Sequence, residues 1–115
     1  MKYMLLVYLN EQAMNDTERQ ECYVEAAQLC HDLKAKGQYL AASPLHPVAA
    51  ATSVRVRNGK RLVTDGPFAE TREQLGGYYL IDAKDLDEAT KIAARIPDAA
   101  IGNGCVEIRP VMVFG

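Results

Sequence analysis

The chain of 115 residues has no tryptophan, only two phenylalanines and only three cysteines. The cysteines lack the paired spacing of a zinc site, and there is no nucleotide loop, nucleophile elbow or dinucleotide fingerprint. Positive charge is not in excess, since the formal net charge is -2, and this balance argues against nucleic acid as a partner. We therefore expect no metal, no cofactor and no nucleic acid.

Long hydrophobic runs are also absent. The opening MKYMLLVYLN holds one lysine and a short apolar stretch, which is too short to span a bilayer and shows no small-residue cleavage site. We expect a cytoplasmic protein that makes no membrane contact. The composition, 49% hydrophobic and 24% charged, is ordinary for a globular protein, and the length predicts one domain over residues 1–115.

The apolar residues predict strands that alternate with two helices. The first strand is predicted at Tyr3 to Leu9, and later strands at QYLAASPLHPV, GGYYLIDA and CVEIRPVMVF. Both helices carry boundary signals. The predicted capping pairs are Thr17 with Gln20 and Asp85 with Glu88, and the predicted ends are Gly37 and Pro97.

The stretch TSVRVRNGKRLVTD predicts a tight hairpin, because Asn58-Gly59 lies between two runs of alternating residues. With a two-residue turn, Val54 pairs with Val63 and Thr52 with Asp65. Asp65 then shares a face with the valines, whereas a bulged turn would move it to the other face.

This order of elements predicts an α+β fold of ferredoxin-like type, with two helices on one face of an antiparallel sheet. The other face also looks apolar, since it carries Met4, Leu6 and Tyr8. Such a surface is a liability on a single chain, so we expect a homodimer packed sheet against sheet, with enclosed space between the sheets. The alternative is that the 65–76 loop and the last strand cover this face.

At LVTDGPFAETREQLGGYYLIDAKDLDEA the sequence closely resembles the YCII-related, DGPF-type family. The resemblance runs from MKYMLLVY to VEIRPV and implies a ferredoxin-like, dimeric α/β barrel. The wider YCII group carries a His–Asp pair proposed as an active site, in a barrel similar to that of muconolactone isomerases. Many relatives are encoded near extracytoplasmic-function sigma factors, and the resemblance implies no single shared reaction.

Asp65 and His46 are the predicted catalytic residues. Asp65, at the end of an apolar face, would be partly desolvated, which suits a general acid or base; alternatively it starts the Gly66-Pro67 turn by bonding the backbone. His46 lies between two prolines in SPLHPV and could reach the loop that holds Asp65, so that a His–Asp pair would orient the ring. The alternative is an exposed loop histidine.

Three further residues are predicted to bind substrate. Glu70 belongs to the family motif, Arg55 could hold a carboxylate if it lies on the sheet face near the strand end, and Phe68 lies at the predicted barrel mouth. The alternatives are a solvated charged run for Glu70, a solvated hairpin tip for Arg55 and a packing role for Phe68. Gly76 and Gly77 favour close backbone packing over phosphate binding, because no helix start follows them.

Two functions fit these residues, beside a bare structural fold without a pocket. One is a cofactor-independent lyase or isomerase that acts on a small organic acid in a dimer cavity. The other is a non-catalytic dimer that binds a small ligand or a regulatory protein linked to sigma-factor transcription.

Overall fold

Four antiparallel strands form one sheet, and a two-stranded hairpin stands apart from it. The structure is a computed structural model that describes residues 1–101 and 104–114. The strands are β1 (Lys2–Leu9), β2 (Tyr39–Pro44), β3 (Thr52–Arg57), β4 (Lys60–Asp65), β5 (Gln74–Asp82) and β6 (Cys105–Pro110). The helices are α1 (Asp16–Ala35), α2 (Leu86–Ala93) and α3 (Pro97–Ile101), and a 3-10 turn spans Val48–Ala50.

The sheet has the strand order β2-β5-β1-β6. The central strand β1 pairs antiparallel with β5 on one side and with β6 on the other. This is the order of a ferredoxin-like fold, with the β3–β4 hairpin inserted between β2 and β5, so the predicted fold class is confirmed. β6 lies at an edge of the sheet and ends at Pro110, as expected for a proline that cannot donate to the ladder.

One face of the sheet forms the core. Alternate residues of β1 point to the helices and are buried, namely Tyr3, Leu5, Val7 and Leu9. The helices cover them with Leu29, Leu33, Ala89, Ile92 and the inter-helix residue Ile96. We call the opposite face, which carries the half-buried residues Met4, Leu6, Tyr8 and Leu80, the open face. The two helices therefore leave an apolar surface on the far side of the sheet.

Helix α1 begins two residues before the predicted capping pair. Asn15 is the N-cap: its side chain accepts a hydrogen bond from the Glu18 N–H at 2.8 Å, and the Glu18 carboxylate accepts from the Asn15 N–H at 3.2 Å. The predicted pair of Thr17 and Gln20 is wrong, because asparagine is a stronger N-cap than threonine and glutamate favours the first turn. Gly37 ends the helix as predicted, with φ +70.

Helix α2 has the predicted cap but not the predicted end. Asp85 accepts a hydrogen bond from the Glu88 N–H at 2.9 Å, whereas Glu88 accepts from the Lys84 N–H at 3.0 Å and so does not complete the box. The helix ends at Ala93, and Pro97 begins α3, because proline fits the first position of a helix. None of the helices in the described ranges is both long and apolar enough to cross a membrane.

The hairpin of β3 and β4, which we call the hairpin arm (residues 52–65), has the predicted register. The observed pairs include Thr52 with Asp65, Val54 with Val63 and Arg57 with Lys60. The two turn residues both have positive φ, 52 at Asn58 and 74 at Gly59, as a two-residue hairpin turn requires. No bulge intervenes, so Asp65 does share a face with the valines.

Candidate functional site

A cleft opens on the core side of the sheet, between α1 and the corner where β2 meets β5. It consists of two adjoining hollows of about 280 Å³ and 270 Å³. Both hollows are lined by Cys22, Tyr23, Pro44, Gly76 and Asp98. We call the two hollows together the helix-side cleft; the first, of about 280 Å³, is its inner hollow, and the second, of about 270 Å³, is its outer hollow.

The paired glycines let β5 approach its neighbours closely at one wall of this cleft. A Cβ at Gly76 would overlap the Leu9 side chain, and a Cβ at Gly77 would stand 3.1 Å from the Ser43 carbonyl oxygen and 3.4 Å from the Pro44 Cα. The expectation of close backbone packing is therefore confirmed at Gly77, whereas the close neighbour of Gly76 is a side chain. Larger residues here would push β5 away from its neighbours.

Asp98 supplies an unusual acid to the helix-side cleft. The residue lies in the first turn of α3 and is half-buried, because α3 packs against α1 and β1. Burial raises the pKa of its carboxyl above the usual range, and a backbone hydrogen bond opposes this shift less strongly. A carboxyl with raised proton affinity in a cleft is typical of a general acid or base.

Burial also raises the proton affinity of two thiols and one phenol in the inner hollow. Burial raises the pKa of the Tyr79 phenol and of the Cys30 thiol. It raises the pKa of the Cys22 thiol to about 11. Thiols that keep their protons at neutral pH are poor nucleophiles. In residues 1–101 and 104–114, moreover, no group of three His, Cys, Asp or Glu is placed to hold a metal ion. The chemistry available is proton transfer through Asp98 and hydrogen bonding from a neutral phenol.

Polar residues line the outer hollow, where the cleft meets solvent. The Glu11 carboxylate accepts a hydrogen bond from the Val48 N–H at 2.8 Å and so fixes the segment that carries His46. Arg19 donates to the Glu11 carbonyl oxygen at 3.4 Å. His46 and Asp98 both line this hollow. The structure thus places His46 on one cleft with two acids, Glu11 and Asp98, and neither of them is the predicted Asp65.

A larger cleft of about 560 Å³ lies at the base of the hairpin arm, and we call it the arm-base cleft. Its walls come from the 45–53 and 67–75 segments and from Tyr8 of the open face. Its polar lining residues are Tyr8, His46, Ser53, Thr71, Glu73 and Gln74. The segment 45–47 lines this cleft and the helix-side cleft, so His46 stands between the two.

The five predicted site residues do not converge on one cavity. His46 and Phe68 line the arm-base cleft, and both are exposed. Asp65, Glu70 and Arg55 are exposed and line neither cleft. Asp65 ends β4 without the desolvation we expected within one chain, and Arg55 pairs with Leu62 on the opposite face of the hairpin arm. The catalytic and substrate-binding roles of these residues stay predictions.

Sequence reasoning did not single out Asp98. The local signal is the Pro97-Asp98 pair after the second helix, since proline and acidic residues favour the first turn of a helix. Whether that turn faces a cleft depends on how α3 packs against α1 and β1, and no local pattern reports this.

Comparison with known proteins accords with this architecture. The sequence model of the YCII-related domain matches residues 1–115. The chain belongs to the YCII-related family. A relative from Rhizobium meliloti (strain 1021), an uncharacterised protein, is 37% identical over 121 residues, which span 99% of this YCII-related chain and 94% of the relative.

A solved structure similar to this YCII-related protein is that of an enzyme. It is the 5-chloro-2-hydroxyhydroquinone dehydrochlorinase of Burkholderia phenoliruptrix AC1100, in complex with 2,5-dihydroxybenzoquinone. The TM-score is 0.59, and the similarity covers 97% of this chain and 94% of the enzyme. The sequences are 12% identical, so the similarity shows a shared fold.

Proposed function

We propose that this YCII-related protein is a cofactor-independent enzyme of lyase or isomerase type that acts on a small organic acid in the helix-side cleft. The observation that carries the proposal is the Asp98 carboxyl, half-buried beside apolar walls, with its pKa raised by desolvation. A carboxylate that holds a proton more tightly is a stronger base for a weakly acidic C–H bond.

In the proposed reaction the Asp98 carboxylate takes a proton from a carbon next to a carbonyl or ring hydroxyl group. The electron pair of that C–H bond then forms a carbon–carbon double bond. The leaving group on the neighbouring carbon departs with the electron pair of the bond that held it. In the isomerising variant the same proton returns at another carbon. Neither the elimination nor the isomerisation changes the overall oxidation state of the substrate. The Tyr79 phenol is suited to donate a hydrogen bond to the oxyanion that develops on the substrate.

The cleft indicates the class of substrate. Its two hollows of about 280 Å³ and 270 Å³ suit a single ring with short substituents. Arg19 and His46 at the outer hollow are placed to hold an anionic group. The dehydrochlorinase with the similar fold carries a small hydroxylated quinone, which supports a ring acid as substrate here.

The test follows proton transfer rather than a final product. Wild-type protein is incubated in D₂O with 2,5-dihydroxybenzoquinone and a panel of small enolisable ring acids, and ¹H NMR measures exchange at carbon. We expect accelerated exchange for at least one compound and a loss of about 10²–10⁴-fold in Asp98→Asn. Asp87→Asn is the matched control, because Asp87 is an exposed acid on α2 paired with Lys91.

Three results overturn the proposal. Full exchange activity in Asp98→Asn removes that residue from the mechanism, and a loss confined to Asp65→Asn moves the role to the acid that the sequence favours. Binding of the compounds without any exchange leaves the non-catalytic, ligand-binding function in place of the enzymatic one.

We further propose that the protein works as a cytoplasmic homodimer. The support is the apolar open face, where Met4, Leu6, Tyr8 and Leu80 are not covered by either helix. A second copy packed on this face would shield it and would also close the neighbouring arm-base cleft.

A further inference from the structure

The chain exposes more surface than its mass requires. Its accessible surface is 8031 Å², whereas a folded single chain of 12.7 kDa exposes about 6,200 Å². The surplus is about 1,800 Å², and an obligate homodimer removes about 1,000–2,500 Å² from each subunit. The surplus is therefore of the size that a stable dimer would bury.

The hairpin arm is a conspicuous part of this surplus. Its strands carry Val54, Val56 and Val63 on one face, and these valines are 57%, 61% and 59% exposed. An isolated two-stranded hairpin is marginally stable in water. A row of exposed valines on such a hairpin is typical of a surface that another chain covers.

The arm is closed at its base by hydrogen bonds between its own two ends. The Gly66 N–H donates to the Ala51 carbonyl oxygen at 2.7 Å, and the Ser53 hydroxyl donates to the Gly66 carbonyl oxygen at 2.7 Å. Gly66 has φ +99, a conformation that glycine adopts without strain. These bonds close the hairpin across its base, so the arm is a formed two-stranded ribbon with its valines on one face before a partner binds.

Charge distinguishes the arm from the rest of the subunit. Residues 52–65 carry four of the 13 lysines and arginines and one of the 15 acidic residues, a net +3. Because the whole chain has a net charge of -2, the remainder carries -5. A cationic arm and an anionic body are complementary between two copies of the same chain, and this favours arm-to-body contact.

We propose that the hairpin arm of each subunit clasps a second copy of this chain. The valine face packs against the open face of the partner's sheet, and Arg61, the basic residue that shares this face with the valines, lies at the rim toward the partner's acidic surface. This inference rests on the proposed homodimer and adds which element makes the contact. In the proposed dimer, the arm of one subunit lies beside the arm-base cleft of its partner and encloses it. The arm-base cleft of a single chain therefore lacks one wall.

The test measures self-association of the full chain by sedimentation velocity over a range of concentrations. The double variant Val54→Asp/Val63→Asp places two carboxylates in the proposed contact, and we expect association to weaken about 100-fold or more. Val24→Asp is the matched control, because Val24 is 69% exposed on α1 outside the proposed contact, and it should associate as the wild type does. Circular dichroism confirms that each variant keeps its helices.

A second variant tests the charge argument. Arg61→Glu reverses the basic residue on the valine face, and it should weaken association and reduce its dependence on salt. Wild-type dimers that persist in both arm variants but dissociate in Leu80→Asp overturn the clasp and keep the sheet-to-sheet dimer. A wild-type chain that is monomeric at the highest concentration overturns both.

Discussion

The sheet and the hairpin arm follow the same alternating pattern, but only the sheet buries its apolar residues within one chain. Leu5 and Ile81 are 0% exposed, whereas the valines of the arm stand open to solvent. The helices α1 and α2 cover one face of the sheet, and no described element covers the valine face. An alternating apolar pattern therefore predicts that one face of a strand is buried. It does not tell whether the same chain or a second chain buries that face.

The largest contrast is expected from matched truncations in the two regions. Leu5→Ala should lower the free energy of unfolding by about 2–5 kcal/mol at any protein concentration, because it leaves a cavity in the core. Val63→Ala should cost little in the isolated subunit and should act through association instead. Urea denaturation at two protein concentrations separates these effects. Equal, concentration-independent losses would show that the arm belongs to the core of its own subunit.

Removal of the arm sharpens the same comparison. We expect a chain with residues 52–65 replaced by a short Gly-Ser linker to keep its four-stranded sheet and to lose the dimer. Its apparent free energy of unfolding should fall by about 2–3 kcal/mol when the wild type is studied near 100 times its dissociation constant, and should match the wild type far below that constant. A deletion that unfolds the sheet at every concentration would contradict this account.

The paired glycines provide a test within the sheet region. Gly76→Ala should destabilise the protein by about 1–3 kcal/mol, because the added methyl group meets the Leu9 side chain. A double-mutant cycle with Leu9→Ala should recover part of this loss, since the smaller side chain frees the space. Additive losses measured by thermal unfolding would place the strain elsewhere.

The smallest expected effect concerns Asp98 and pH. Because folding raises the pKa of this carboxyl, the unfolded chain loses the proton first as pH rises, and the wild type loses stability on the way to neutral pH. Asp98→Asn has no such charge, so its melting temperature should match the wild type in acid and exceed it near pH 7. A variant that is less stable at neutral pH would mean that the carboxylate stabilises the fold.

Local patterns predicted much of the fold. Asn58-Gly59 predicted the hairpin register, and the alternation in the first strand predicted which residues face the helices. The cap of α1 was misplaced because N-x-x-E and T-x-x-Q overlap in the same segment, and the stronger cap prevailed. Pro97 predicts the end of a helix, but proline also favours the first position of one, and here it begins α3.

The candidate site was harder to predict, because it depends on tertiary packing. The predicted register of Asp65 is correct, yet its face is covered by no element of the same chain. Asp98 lies in the helix-side cleft because a five-residue helix docks between α1 and β1. Burial of that kind leaves no periodic trace in the sequence.

The most direct test of the central claim is an NMR titration of the Asp98 side-chain carboxyl in the folded wild-type protein, assigned by comparison with Asp98→Asn. We predict a midpoint above the value of about 3.9 for a free aspartate, and a further change in the midpoint when 2,5-dihydroxybenzoquinone is added. A midpoint at or below that of a free aspartate, unchanged by the quinone, would contradict the assignment of Asp98 as the acid–base residue of this cleft.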